Sequence, residues 1–199
     1  MSDTKNIKVG KEVVQIEAQA VLAIADRIDK QFDNAVCSIL DCKGRLIVLG
    51  VGKSGLISQK IASTMASTGT PAHFVHPGDA FHGDLGMITK NDVVLMISNS
   101  GETHELIQII PSIRKKNVPI IGMVGKENST LYNGVDFILD TSVEKEACTL
   151  DLAPTASTTA TLAMGDALAV ALLESRGFNA QDFAELHPGG SLGKKLLLT

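Results

Sequence analysis

Residues 45–55 read RLIVLGVGKSG, and the rest of the predicted architecture is arranged around them. Residues 46–49 form an unbroken aliphatic run, which is typical of a strand buried on both faces of a parallel sheet. The glycines that follow let the chain turn sharply and leave backbone N–H groups uncovered. From Ser54 onward the apolar residues recur at helical spacing. A strand, a glycine turn and a helix N-terminus in this order predict an anion site, because unpaired N–H groups and the positive end of the helix dipole meet there.

The glycine turn matches two phosphate-binding motifs incompletely. The G-x-G-x-x-G at 50–55 has the spacing of the dinucleotide fingerprint, but that motif also requires an acidic residue at the end of the next strand. The next predicted strand, 72–75, is followed by His76 instead. The GKS at 52–54 resembles the end of a P-loop, but Ile47 occupies the position where that motif needs a glycine. The sequence therefore predicts a general phosphate-binding turn that carries a lysine, with a tight turn bearing a surface lysine as the alternative.

The composition is that of a globular protein long enough to bury a sizeable core. The chain has 199 residues, 44% of them hydrophobic and 20% charged, with a formal net charge of −4. This charge argues against a nucleic-acid partner and a membrane-binding patch, and we expect no membrane-spanning segment. Three cysteines without C-x-x-C spacing suit a reducing compartment and predict no zinc site. We therefore expect a cytoplasmic protein.

The rest of the chain alternates between strand and helix patterns. Further apolar runs predict strands at 72–75, 92–99, 119–124 and 135–139. Apolar spacing predicts helices over 12–32, 34–41 and 157–174. This alternation predicts an α/β fold, a three-layer sandwich in which helices flank a five-stranded parallel sheet. We expect residues 1–40 to form helices that pack on the domain or on another subunit, and residues 41–199 to form a single domain.

A second turn repeats the first architecture with hydroxyl groups in place of glycines. The strand at 92–99 runs into SNSGET, residues 98–103, and then into a helix. Ser98, Ser100 and Thr103 place three hydroxyl groups beside the backbone N–H groups of a helix start. A helix cap needs fewer, so the cluster favours a phosphate-binding loop over a capping box. In a parallel sheet both turns lie at the carboxyl edge, where ligands bind.

The histidine-containing loops indicate proton transfer rather than metal binding. Residues 76–86 read HPGDAFHGDLG, and the spacing of their histidines and acids matches no standard metal-ligand pattern. A histidine beside the end of a sheet is a better candidate for acid–base chemistry. His187 lies in a Pro/Gly turn near the C-terminus, which is an unusual choice for a purely structural position.

Four stretches occur together in the order found in one family. They read GVGKSG at 50–55, SNSGET at 98–103, KEACTLDLAPTASTT at 145–159 and HPGGSLGKKL at 187–196. The combination resembles the sugar-isomerase (SIS) domain, and closely the arabinose 5-phosphate isomerases, over nearly the whole chain. The resemblance implies interconversion of D-arabinose 5-phosphate and D-ribulose 5-phosphate for 3-deoxy-D-manno-octulosonate (KDO) synthesis, which serves lipopolysaccharide or capsule formation. It also implies a homotetramer that uses no organic cofactor, and we expect no metal site.

The resemblance assigns roles to individual residues. It implies catalytic groups at Lys53, His82, Glu105, Glu146 and His187. We expect substrate and phosphate contacts from the glycine turn and from the family's phosphate loop: Gly52, Ser54, Gly55, Ser98, Ser100 and Thr103.

The reaction that the resemblance implies needs a base that moves a proton between C2 and C1 through a cis-enediol(ate). Glu146 and His187 are both candidates for this base. His82 is the candidate for acid–base work in ring opening, and Lys53 either stabilises the enediolate charge or binds phosphate. Glu105 lies in the first turn of a predicted helix, where stabilisation of the helix dipole is its alternative role.

Two other functions remain open at this stage. One is an isomerase for a different sugar phosphate, and the other is a non-catalytic SIS module that binds sugar phosphates. Regulators with such modules carry a basic helix-turn-helix segment, whereas residues 1–44 predict a long helix without a basic surface. Most members of the resembled group carry a pair of regulatory cystathionine-β-synthase (CBS) domains after the SIS domain. The sequence ends at Thr199, so we expect either a single-domain form without that pair or a truncated chain.

Overall fold

A five-stranded parallel sheet forms the middle layer of the molecule. The computed structural model describes residues 4–188. The strands lie in the order β2-β1-β3-β4-β5, and every neighbouring pair is parallel. Their bounds are Leu46–Gly50 (β1), Ala72–Val75 (β2), Val93–Ser98 (β3), Ile120–Val124 (β4) and Phe137–Asp140 (β5). All five lie close to their predicted positions, and the predicted fold class is confirmed.

Helices cover both faces of the sheet. Within the described residues they are Lys5–Ala25 (α1), Lys30–Asp41 (α2), Gly52–Ser67 (α3), Pro77–Phe81 (α4), His104–Arg114 (α5), Thr130–Gly134 (α6), Ala156–Arg176 (α7) and Ala180–Leu186 (α8). Successive side chains of a strand point to opposite faces. Leu46 and Val48 therefore join the core formed with α2, α3 and α7, whereas Ile47 and Leu49 join the core formed with α4, α5 and α6.

The N-terminal helices differ from the prediction. The single helix expected over 12–32 is wrong, because α1 ends and α2 begins within that range. Asp29 caps α2, and its carboxylate accepts a hydrogen bond from Gln31 N at 2.8 Å. The apolar spacing continues across the break, at Ile28 and Phe32, which is why periodicity did not reveal it. In the fold α1 packs on α7, and α2 packs on α7 and β5.

The helix α7 is central to its layer. By length and composition it is apolar enough to cross a membrane, which we had not expected of any segment. In the fold it is a core helix, since Ala160, Met164, Leu168 and Leu172 are buried and α1, α2 and α3 pack against it. Gly177 ends the helix in the left-handed conformation, with φ of 65°.

The strand order brings the two predicted turns together. The chain leaves β1 for β2 on one side and then returns to β3 on the other side, so the switch point lies between β1 and β3. Gly50 at the end of β1 lies opposite Ile97 near the end of β3. The turns at 50–55 and 98–103 therefore open at the same edge of the sheet.

Candidate active site

A cavity of about 180 Å³ lies at this switch point. Its walls come from the turn after β1, the end of β3 and the start of α7: Val51, Lys53, Ser54, Ile57, Asn99, Pro154, Ser157, Thr158 and Thr161. The N-termini of α3 and α7 both reach it, and the first N–H groups of a helix have no partner within the helix. The N–H groups that open α3 and the Lys53 ammonium make the cavity suited to an anion, whereas Ser157 N of α7 already donates to Glu146.

The first turn requires glycine for two separate reasons. Gly52 has a φ of 59°, a left-handed conformation that other side chains disfavour. Gly55 lies so close to the end of β1 that an added Cβ would approach the Gly50 carbonyl oxygen to 2.8 Å. This close crossing starts α3 directly at the sheet edge and places Lys53, which is exposed, on the cavity wall.

The second turn is braced by its own hydroxyl groups. Ser98 is buried, and its hydroxyl accepts a hydrogen bond from Gly101 N at 2.9 Å and lies 2.8 Å from Thr103 Oγ1. Ser100 accepts a hydrogen bond from Glu102 N at 3.2 Å and is the exposed member of the three predicted hydroxyls. The loop is therefore held in shape from inside, and it presents the first N–H groups of α5 at its rim.

Two further contacts tie this loop to the connection between β4 and α6. Glu102 Oε1 accepts a hydrogen bond from Thr130 N at 2.8 Å, and the Gly101 carbonyl accepts one from Leu131 N at 2.9 Å. The hydrogen bonds from Thr130 lower the pKa of Glu102, so its carboxylate stays ionised well below neutral pH. The loop is thus fixed to the scaffold at both its centre and its end.

Glu146 precedes α7 in the chain and does not itself line the cavity, but its carboxylate is hydrogen-bonded to the first residues of that helix. Its Oε2 accepts hydrogen bonds from Thr155 N at 2.7 Å, Thr155 Oγ1 at 3.0 Å and Ser157 N at 3.2 Å, and its Oε1 accepts one from the Ser157 hydroxyl. Burial alone would raise the pKa of Glu146, but the hydrogen bonds from Ser157 and Thr155 outweigh it and lower the pKa. Ser157 also lines the cavity, so one serine links the carboxylate to the site.

The other three predicted catalytic residues lie on different elements. His82 ends α4, where it is exposed and its ring stands edge-on to Phe81 with centroids 5.6 Å apart. Glu105 is half-buried in the first turn of α5. His187 follows α8, stacks on Phe183 at 3.9 Å between centroids, and has its Nδ1 2.7 Å from the Phe183 carbonyl oxygen. Of these three, none lines the cavity in the described part of the chain.

The cavity therefore unites part of the predicted site and adds residues that the motifs did not single out. Predicted Lys53 and Ser54 line it, whereas Asn99, Ser157 and Thr158 are new. The available signal was the run of small and hydroxyl residues that opens α7, because such a run at a helix N-terminus offers both O–H and N–H donors. Among residues 4–188, no three His, Cys, Asp or Glu side chains are grouped to hold a metal ion.

Comparison with known proteins identifies relatives over most of the chain. The SIS domain family matches residues 39–171. Arabinose 5-phosphate isomerase KdsD of Escherichia coli K12 is 54% identical over 191 residues, and KdsD of Pseudomonas aeruginosa PAO1 is 52% identical over 192 residues. Each alignment covers 96% of this chain but only 58% or 59% of the relative, so the chain spans about three fifths of the length of these proteins.

A solved structure has the same architecture. The structure of a protein from Escherichia coli CFT073 in complex with arabinose 5-phosphate superimposes with a TM-score of 0.89 and 42% sequence identity. That alignment covers 94% of this chain and 100% of the other. The family match spans the sheet, both turns and most of α7, which together contain the cavity. The chain belongs to the SIS domain family.

Proposed function

We propose that the protein is an aldose–ketose isomerase that interconverts D-arabinose 5-phosphate and D-ribulose 5-phosphate. One observation carries the proposal: Lys53, the N-termini of α3 and α7, and Ser157, whose hydroxyl donates a hydrogen bond to Glu146, meet at one cavity. The relatives support the choice of substrate. KdsD proteins are arabinose 5-phosphate isomerases, and the Escherichia coli CFT073 protein holds arabinose 5-phosphate.

The phosphate group is bound at the edge where the two turns meet. In this proposal the N–H groups that open α3 and α5 and the hydroxyls of Ser54 and Ser100 donate hydrogen bonds to the phosphate oxygens. Ser98 and Thr103 contribute by holding the loop in shape, since their hydroxyls are bonded to each other and to the turn. A loop that is already ordered loses little conformational entropy when the ligand binds.

The chemical step removes the proton from C2 and returns it to C1, while the carbonyl moves from C1 to C2 through a cis-enediol(ate). The Lys53 ammonium stabilises the negative charge that develops on the sugar oxygen. Glu146 is the weaker candidate for the base, because its hydrogen bonds hold its pKa down and an efficient base titrates near the working pH. We therefore assign His187 as the base and His82 as the group that opens the ring. Glu146 positions Ser157 and the start of α7.

This assignment makes the complete site a property of an oligomer, since His82 and His187 do not line the cavity of their own chain. We propose the homotetramer that the family resemblance implies. Exposed apolar side chains support self-association: Val14 and Leu22 on α1 are 68% and 71% exposed, and Leu150 and Leu152, near Glu146, are 72% and 79% exposed. We further propose that the enzyme works in the cytoplasm and supplies KDO synthesis for lipopolysaccharide or capsule.

The deciding experiment mixes the purified protein with D-ribulose 5-phosphate, without added cofactor, and follows the formation of D-arabinose 5-phosphate. Hexose and heptose phosphates serve as competing substrates, and a parallel reaction contains a metal chelator. We expect the highest kcat/KM with the arabinose and ribulose pair and an unchanged rate with the chelator. No interconversion, or a higher kcat/KM for another sugar phosphate, would refute the proposed function.

A further inference from the structure

Ser142 is held by both of its backbone groups at the point where the chain leaves β5. Arg27, in the turn between α1 and α2, donates a hydrogen bond from Nη1 to the Ser142 carbonyl oxygen. The Arg27 Nε lies 3.6 Å from Asp140 Oδ2, and Asp140 Oδ1 accepts a hydrogen bond from Ser142 N at 2.8 Å. The Arg27 side chain is 28% exposed, so these contacts are partly shielded from water.

This clamp stands at the start of the segment that carries Glu146. Residues 141–155 connect β5 to α7 and contain no helix or strand, so their course depends on side-chain contacts and on a few backbone hydrogen bonds, such as that from Thr141 N to the Val124 carbonyl oxygen. Farther along the segment, Asp151 Oδ1 accepts a hydrogen bond from Glu146 N at 2.7 Å, and Thr155 Oγ1 accepts one from Ala147 N at 2.8 Å. Arg27 hydrogen-bonds the beginning of this segment from the turn between the two N-terminal helices.

The helix α1 also contacts the first turns of α7, the helix that follows the segment. Glu17 Oε2 accepts a hydrogen bond from Thr159 Oγ1 at 3.0 Å, in the first turns of α7. Glu17 and Arg27 both lie outside residues 39–171, the part of the chain that the SIS family shares. The N-terminal region therefore contacts the chain on both sides of Glu146, at Ser142 in the segment and at Thr159 in α7.

We propose that Arg27 is a positioning residue, which fixes the segment carrying Glu146 through its contacts with Ser142 and Asp140. The guanidinium suits this role because its planar fork serves a carbonyl oxygen and a carboxylate at once, which a lysine ammonium does less well. Displacement of an active-site group by about 1 Å can cost about a hundredfold in rate. The effect on catalysis rests on the proposed function, whereas the anchoring of the segment does not.

The chain offers a matched control at the opposite end of β5. Arg114 Nη1 binds both carboxylate oxygens of Asp136 at 2.6 and 2.7 Å, and its Nη2 donates to the Gly134 carbonyl oxygen at 2.8 Å. This clamp has the same chemistry as that of Arg27 and holds the start of β5 instead of its end. Arg114→Ala therefore removes an equivalent ion pair and carbonyl contact far from the Glu146 segment.

The test compares Arg27→Ala, Arg27→Lys and Arg114→Ala in the full chain. Thermal melting first establishes that each variant is folded, and amide hydrogen exchange with mass spectrometry then follows residues 141–155. In Arg27→Ala we expect exchange in this segment to accelerate about tenfold or more, and kcat to fall by about tenfold to a hundredfold. KM should stay within about threefold, because the phosphate turns are untouched. Arg27→Lys should recover part of kcat, and Arg114→Ala should leave both kcat and the exchange of 141–155 near wild type.

Two results would overturn the proposal. Unchanged exchange of residues 141–155 in Arg27→Ala would mean that Arg27 does not hold the segment. If exchange accelerates in Arg27→Ala while its kcat equals that of Arg114→Ala, then holding the segment does not position the site. If the wild-type protein isomerises no sugar phosphate, the proposed function fails, and the exchange measurement alone decides whether Arg27 anchors the segment.

Discussion

Replacing Glu146 by glutamine separates an anchoring role from that of a general base. In the structure Oε2 accepts hydrogen bonds from Thr155 and Ser157, and Oε1 accepts one from the Ser157 hydroxyl. Glutamine keeps the shape but removes the charge, and a charged acceptor contributes about 1 kcal/mol more per hydrogen bond than a neutral one. Solvent screening of this partly exposed group reduces the total, so we expect a loss of about 1–2 kcal/mol. For a chain of this size that lowers Tm by about 3–6 °C.

The pH dependence provides the sharper test. Hydrogen bonds lower the pKa of Glu146 in the folded protein. Its contribution to stability is therefore complete above the unfolded-state pKa of about 4.3. The contribution disappears as the pH falls through the folded-state pKa. The difference in Tm between wild type and Glu146→Gln should therefore be constant from about pH 7 to about pH 5 and narrow only in more acidic solution. Circular dichroism melts across this range measure it.

Glu144→Gln is the matched control, because Glu144 is exposed on the same segment and the substitution changes the net charge equally. We expect it to change Tm by less than about 1 °C, as is usual for isolated surface charges. A stability advantage of wild type over Glu146→Gln that widens as the pH falls from about 7 to about 5 would mean a raised pKa for Glu146. Burial would then outweigh the hydrogen bonds, Glu146 would titrate where a base works, and the assignment of the base to His187 would be wrong.

Three further predictions test the site and its scaffold. Lys53→Ala and His187→Ala should each lower turnover by about a hundredfold or more, with an unchanged circular dichroism spectrum. Near-normal turnover in either variant would remove the substituted residue from the mechanism. Ser98→Ala leaves the Gly101 N–H without its buried hydrogen-bond partner and should raise KM for the sugar phosphate by about tenfold in steady-state kinetics. An unchanged KM would contradict the bracing role of Ser98. Gly55→Ala should cost about 2 kcal/mol in urea denaturation because its Cβ meets backbone, whereas the control Gly86→Ala, whose Cβ meets nothing within 4 Å, should cost far less.

The sheet was predictable because its strands are covered on both faces. Aliphatic runs such as 46–49 and 120–124 contain no polar side chains to obscure the pattern, and the glycines at 50–55 mark where the first strand must turn. The boundary between α1 and α2 was not predictable from apolar spacing, which continues through it. Asp29 was the available signal, but one capping residue contributes only about 1 kcal/mol and is easily overlooked in a periodic stretch.

The candidate site was predictable where its residues are neighbours in sequence. Lys53 and Ser54 follow directly from the glycine turn, and both line the cavity. Ser157 lies about a hundred residues away, and only the packing of α7 against α3 brings it there. The burial of Ser98 was also hidden, because a hydroxyl at a strand end suits a ligand contact as well as a turn brace. The catalytic roles of Lys53, His82, Glu105, Glu146 and His187 stay predictions.

The contacts of α1 and of the turn after it extend this fold beyond the boundary of the family match. Family similarity starts at residue 39, yet Glu17 and Arg27 reach across to α7 and to the end of β5. A fragment excised at the family boundary would lose these anchors and leave the apolar flank of α7 uncovered, which favours aggregation. Transplanting this scaffold into another protein should therefore require its leading helix as well.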